Sequence, residues 1–351
     1  MFVCVRARDA GDLLFGIRAR SNTNGSRILE VVRYNVSSGR TMTVVTLDNS
    51  LGWYQTAAAT YTTDGTYFTA LAESTKSSSL YAIDLNEGKI KARLKRQPPF
   101  SSLHILDENR MILGVAACTD GSSAGDCIYT VPLNMSEPAT LVGNFPANWA
   151  AVDTHGVTLV RHRQSGAQDA SFLYAIAANA RNMSVNHASL FGWSIERNGT
   201  PRLISQPGRV YGGPTVTYSL FGDPDATVSA LAQDNSKQHP AYYVVRINAT
   251  TWERVPGTRV EVYANNEHGF DAYPAVVGGG EDAVVVAFYV RKIPQSHREP
   301  LSVPDVDTKI LKHDTLTNTD TPPRIDLMLM RRGHVSVVTG WNQNIINLVL
   351  I

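Results

Sequence analysis

Seven times along the chain, a turn rich in Gly, Asp or Asn opens onto a short apolar strand. These strands run Asp12 to Ile17, Thr66 to Leu71, Arg110 to Val115, Val157 to Val160, Thr227 to Leu231, Ala283 to Phe288 and His334 to Val338. Each is followed, after a polar loop, by a second strand: Arg27 to Val32, Ser79 to Asp84, Cys127 to Val131, Phe172 to Ile176, Tyr242 to Ile247, Lys309 to Lys312 and Ile345 to Leu350. A unit this small cannot bury its apolar faces alone. Stacked at a period of roughly 45–50 residues, such units bury them against one another. The pattern predicts an all-β fold, a seven-bladed β-propeller of four-stranded antiparallel blades forming one domain over 1–351.

The second repeat shows a whole blade. Strand A is Thr56 to Tyr61, strand B Thr66 to Ala72, strand C Leu80 to Leu85 and strand D Lys89 to Leu94. Thr63-Asp-Gly65 and Asn86-Glu-Gly88 supply the tight turns, because Gly adopts φ > 0 at low cost. The fourth repeat is irregular. Phe172 to Ala177 reads either as strand C, with Leu190 to Ile204 an inserted hairpin, or as strand B of a stretched blade. The seventh repeat ends after three strands and so lacks its outer one. An apolar last strand without a partner is an open edge. Three readings stand: a three-stranded blade, a chain that is part of a longer protein, or self-assembly in which a neighbouring molecule adds the strand.

Ser79-Leu-Tyr-Ala-Ile-Asp-Leu-Asn-Glu-Gly-Lys-Ile90, read with Asp64-Gly-Thr-Tyr-Phe-Thr-Ala-Leu-Ala72, resembles the repeat of quinoprotein-like and YVTN-type propellers. The likeness covers the second repeat and, as a hydrophobic outline, the others. It implies the fold. Quinoprotein dehydrogenases carry a Trp after strand D where this chain has Leu94, and they place a vicinal Cys pair that is missing here. The resemblance therefore brings no quinone, and no cofactor or metal is expected.

Formal net charge is +1, with no basic stripe, which argues against a nucleic-acid partner. No stretch reaches the ~20 apolar residues of a membrane helix. Of three cysteines, Cys118 and Cys127 flank a polar loop between paired strands and are expected to face each other as a disulfide. Asn-X-Ser/Thr sequons stand at Asn24, Asn35, Asn134, Asn182, Asn198 and Asn248. Asn35, Asn134 and Asn248 each follow the second strand of a repeat. Pro201, directly after Asn198-Gly-Thr, makes that site a poor acceptor. Disulfide and sequons together point to an extracellular or secretory location.

Loops from D to the next A, and from B to C, share one end of a propeller. Aromatic residues recur there: Trp53, Tyr54, Phe100, Trp149, Tyr211, Phe270 and Tyr273. They either wedge between blades or offer stacking platforms to sugar rings. The densest polar cluster holds Glu267, His268 and Asp271, a group able to divide acid and base work. Arg161, Arg163, His297 and Arg298 are expected in B–C loops at the same end, where they suit an anionic ligand. The expected role is a secreted binding or assembly module with a protein or glycan partner. The alternative is an extracellular hydrolase or lyase acting on carbohydrate at the channel mouth.

Overall fold

The computed structural model describes 26 strands between Cys4 and Leu350, with the connecting residues 62, 64–65, 76, 85–88, 98–99, 110, 118, 125, 133–139, 145–148, 196 and 200. Side chains are described for parts of the strands between 13 and 47 and for most of residues 57–205; beyond 205 the description is of backbone alone.

The strands form six sheets among the described residues. Blade 2 runs Ala57–Tyr61, Thr66–Ser74, Ser77–Asp84, Lys89–Gln97. Blade 3 follows with Phe100–Asp107, Met111–Ala117, Asp126–Pro132, Thr140–Asn144. In blade 4 two short strands, Trp149–Ala151 and Val157–His162, lie along one edge of Ala170–Asn179, followed by Ser189–Ile195 and Pro201–Ser205. Blade 5 is Thr215–Gly222, Thr227–Asp234, Ala241–Asn248, Val260–Ala264. Blade 6 is Phe270–Gly280, Ala283–Lys292, Arg324–Arg331, His334–Trp341. In blade 1, Ile345–Leu350 pairs antiparallel with Leu13–Ser21, which continues to Arg27–Asn35 and Arg40–Leu47. The other edge of Ile345–Leu350 pairs in parallel with Cys4–Val5.

The first strands of the blades touch in a cycle. Ala57–Tyr61 lies beside Phe100–Asp107, which lies beside Val157–His162; Thr215–Gly222, Phe270–Gly280 and Ile345–Leu350 follow, and the last returns to Ala57–Tyr61. Antiparallel four-stranded sheets whose inner strands close a ring make a β-propeller.

Two expectations are corrected. Among the described residues six blades stand where seven were expected, because Arg324–Arg331 and His334–Trp341 are the outer strands of blade 6. The segment Lys309 to Lys312, read as the second strand of the sixth repeat's pair, lies outside the described residues. The last strand is not an open edge: it is the inner strand of blade 1, paired on both sides within the chain. That arrangement hides the backbone groups which an unpaired strand would expose. Of the two readings of blade 4, the second holds: Val157–His162 is strand A and Ala170–Asn179 strand B, so the hairpin from Ser189 is the blade's own outer half.

Blades stack face to face, so a middle strand is buried on both faces and its apolar residues do not alternate. Thr66–Ser74 is buried through its first seven residues. Even-numbered Leu80 and Ala82 join Phe100, Leu103, Ile112 and Tyr129 in the seam between blades 2 and 3. Leu113, Val115, Ile128 and Phe145 fill the seam to blade 4 with Leu173, Phe191 and Trp193. The outermost strand Lys89–Gln97 is mostly exposed and cationic, which discourages pairing by another chain. Turn chemistry follows the sequence. Gly65 and Gly88 have φ of 87° and 64°, and the Asp84 carboxylate accepts the N–H groups of Asn86 and Glu87, both at 2.9 Å.

Candidate binding face

Strand order places the B–C loops and the D–A connections at one end of every blade. At that end of blade 3 the loop between Ala117 and Asp126 is closed by a disulfide from Cys118 to Cys127, with Cα atoms 5.0 Å apart. The two cysteines are diagonal rather than opposite. Cys127 is in register with Ala116, and the Cys118 N–H donates to the Gly125 carbonyl at 3.1 Å. Both still project from the same side of the hairpin, because side-chain direction repeats every two residues.

The loop's closing residues dock on blade 4. Asp126 is buried, and its Oδ2 accepts the Ala151 N–H at 2.7 Å. The Phe145 N–H donates to the Asp126 carbonyl at 2.9 Å. A Cβ on Gly125 would stand 2.6 Å from the Trp149 carbonyl oxygen, so only glycine allows this approach. Burial pushes the Asp126 carboxyl up to about 6, against the opposing effect of the Ala151 hydrogen bond. Two strands further in, Ser102 and His104 stand opposite Val115 and Leu113, on the side of blade 3 facing blade 4. Among the described residues, Ser102 Oγ and His104 Nε2 are buried without a hydrogen-bond partner. Burial holds the His104 imidazole down at about 4, hence neutral.

The aromatic residues expected as platforms behave differently where they are described. Phe100 is 1% exposed, edge-on to Tyr129 at 6.1 Å, in space left by Gly114, whose added Cβ would lie 2.5 Å from the Phe100 ring. It is a wedge between blades and offers no face to a ligand. Trp149 is half-buried, its ring centroid 4.8 Å from that of Phe191. Trp193, which the sequence did not single out, is buried between Phe145 at 4.6 Å and Phe191 at 6.1 Å.

Arg161 is the second-last residue of the inner strand of blade 4, so it falls on the A–B side, away from the B–C loops where it was expected. Asp271 does start an inner strand at the expected end, in register with Arg291, and Phe270 with Lys292; Tyr273 is in register with Tyr289. Trp53, Tyr54, Arg163, Tyr211, Glu267, His268, His297 and Arg298 lie outside the described residues. Among the described residues no three His, Cys, Asp or Glu side chains gather as metal ligands, and no helix is long and apolar enough to cross a membrane. Asp126 and His104 escaped sequence reasoning. The one hint was their setting, a carboxylate next to Cys127 and an imidazole inside the apolar run Leu103 to Leu106.

No protein-family model matches this sequence, and no curated protein matches it. Among solved structures the chain is similar to the periplasmic gluconolactonase PpgL of Pseudomonas aeruginosa, at 10% identity and TM-score 0.48, covering 99% of this chain and 87% of that one. It is similar to a mutant of AofleA from Arthrobotrys oligospora, at 11% identity and TM-score 0.48, covering 97% and 91%. A putative TolB from Agrobacterium tumefaciens matches at 12% identity and TM-score 0.43, covering 95% and 90%. At such identities and scores these likenesses carry no activity over to this chain.

Proposed function

We propose that the chain is an extracytoplasmic propeller that binds a protein or glycan partner at the end where its B–C loops and D–A connections gather. The observation that carries this reading is the Cys118–Cys127 disulfide. Structural disulfides persist in oxidising compartments. This one also ties together the two ends of a loop at the proposed contact end, which lowers the ordering cost of binding. Asp126 and Gly125 extend the same support by seating the loop's base on blade 4. Asp271, in register with Arg291, puts charged residue types at the same end of blade 6.

Alkylation of the unfolded chain without reductant, read by intact mass, tests the reading. One modified thiol of the three is expected, and three modified thiols from native secreted material would overturn it. Binding is then screened on a glycan array and against extracellular-protein libraries. Variants at Asp271 and Arg291 are expected to weaken any hit, whereas Lys89→Glu, on the outer rim, leaves it unchanged. Hits that respond only to the rim variant would move the contact surface elsewhere.

A further inference from the structure

The strand assignments put three of the six sequons at one end of the ring. Asn35 closes strand C of blade 1 and Asn248 closes strand C of blade 5. Asn134 lies in the turn after strand C of blade 3. Alternate blades thus carry a sequon where C turns into D, at the end away from the disulfide loop. We propose that Asn134 is an N-glycan acceptor and that, with Asn35 and Asn248, it makes this end a glycan-bearing face. The proposal rests on the extracytoplasmic reading above.

Asn134 has the geometry that an acceptor needs after folding. It is exposed, as are Ser136, Glu137 and Pro138. Its Oδ1 accepts the Ser136 N–H at 3.0 Å, an Asx turn. The carboxamide is therefore divided: oxygen serves the fold, while Nδ2 donates to no described residue and faces outward with the turn. A glycan on Nδ2 leaves the oxygen free to keep accepting. The turn is also held firmly from below. The Leu133 N–H donates to the Arg110 carbonyl at 2.8 Å, the Met135 N–H to the Pro132 carbonyl at 2.8 Å, and the Ala139 N–H to Gln97 Oε1 at 2.8 Å. Met135, at φ 53°, turns its side chain into the seam between blades 2 and 3 while its neighbours stay in solvent. A bulky sugar here displaces no packed residue.

The transfer needs a lipid-diphosphate-linked oligosaccharide as co-substrate, as the secretory pathway supplies. Asn134 Nδ2 bonds to the anomeric carbon and gives up one proton, which balances the charge of the departing diphosphate. The bond from that carbon to the diphosphate oxygen breaks, and the lipid diphosphate leaves with the electron pair.

The test is site mapping on the full chain secreted from cultured eukaryotic cells. Peptide N-glycosidase treatment in H2(18)O converts each occupied Asn to a labelled aspartate, which peptide mass spectrometry locates. Label at Asn134 in most molecules is expected, with label at Asn35 and Asn248. Ser136→Ala keeps the donating N–H and so the turn, and should lower the intact mass by one glycan. An unlabelled Asn134 beside another labelled sequon overturns the Asn134 assignment alone. Label at Asn134 without Asn35 and Asn248 overturns the shared face. No label anywhere, with three free thiols, overturns the extracytoplasmic reading as well.

Discussion

Replacing Asp126 with Asn should remove one pH-dependent contribution to stability across mildly acid pH. Asp126 ordinarily releases its proton near 3.8, and in the folded chain burial raises that to about 6. Between those values the folded state holds a proton that the unfolded chain has released. Unfolding then releases a proton, so stability falls as pH rises. The contribution is fully present below about pH 4 and is lost as pH climbs through about 6. At about 1.4 kcal/mol per unit, a window of about two units amounts to about 3 kcal/mol. In Asp126→Asn the amide oxygen still accepts the Ala151 N–H, and the titration disappears. The stability of wild type minus that of the variant should drop by about 2–3 kcal/mol between pH 4 and pH 7, measured by urea unfolding followed by tryptophan fluorescence at fixed ionic strength. His104 acts in the opposite sense. Its folded value is depressed to about 4 from 6.5, so its contribution is present above 6.5 and is lost as pH falls towards 4. The two slopes oppose each other in the raw profile, and the difference between variants separates them. A difference that stays constant with pH, or one that grows in favour of wild type as pH rises, would refute the idea of a carboxyl held neutral by burial.

Trp193→Ala empties the aromatic stack between Phe145 and Phe191 and should cost about 3–5 kcal/mol, read as a lower urea midpoint with unchanged m-value. Gly114→Val drives a side chain into the Phe100 ring, 2.5 Å from the new Cβ, and should cost about 1–3 kcal/mol; a neutral result would mean Phe100 has room to move. Exchanging Cys118 and Cys127 for Ser frees a short loop whose closure is worth about 2.5 kcal/mol, visible as a lower melting temperature only when compared with unreduced wild type. Removing residues 345–351 strips the inner strand from blade 1, and cooperative unfolding should vanish until a peptide of those residues is added back.

The fold class was legible because turn chemistry and apolar runs recur at a fixed period. Blade 2 was read strand by strand, and the structure keeps its turns at Gly65 and Gly88. The blade count was not legible, for a physical reason. A propeller's last sheet is shared between distant segments, and Ile345–Leu350 looks the same in sequence whether it follows His334–Trp341 or returns to Leu13–Ser21. Blade 4 stayed open between two readings for a similar cause: Trp149–Ala151 and Val157–His162 both lie along Ala170–Asn179, a pairing that strand spacing alone does not reveal. The disulfide could be read from spacing. Asp126 could not, since only docking against Ala151 buries it. Aromatic residues at blade junctions are ambiguous by nature, and Phe100 became a wedge because Gly114 leaves the hole it fills.

Because blade 1 borrows its innermost strand from about 320 residues downstream, Leu13–Ser21 waits during synthesis until Ile345–Leu350 has been made. At about 5–20 residues per second the delay is tens of seconds. During that time Leu13–Ser21 has one unsatisfied side, while blades 2 and 3 are already whole as local units. Ring completion is therefore a late, long-range event, and a cell making this protein must shield that early ribbon until Ile345–Leu350 emerges.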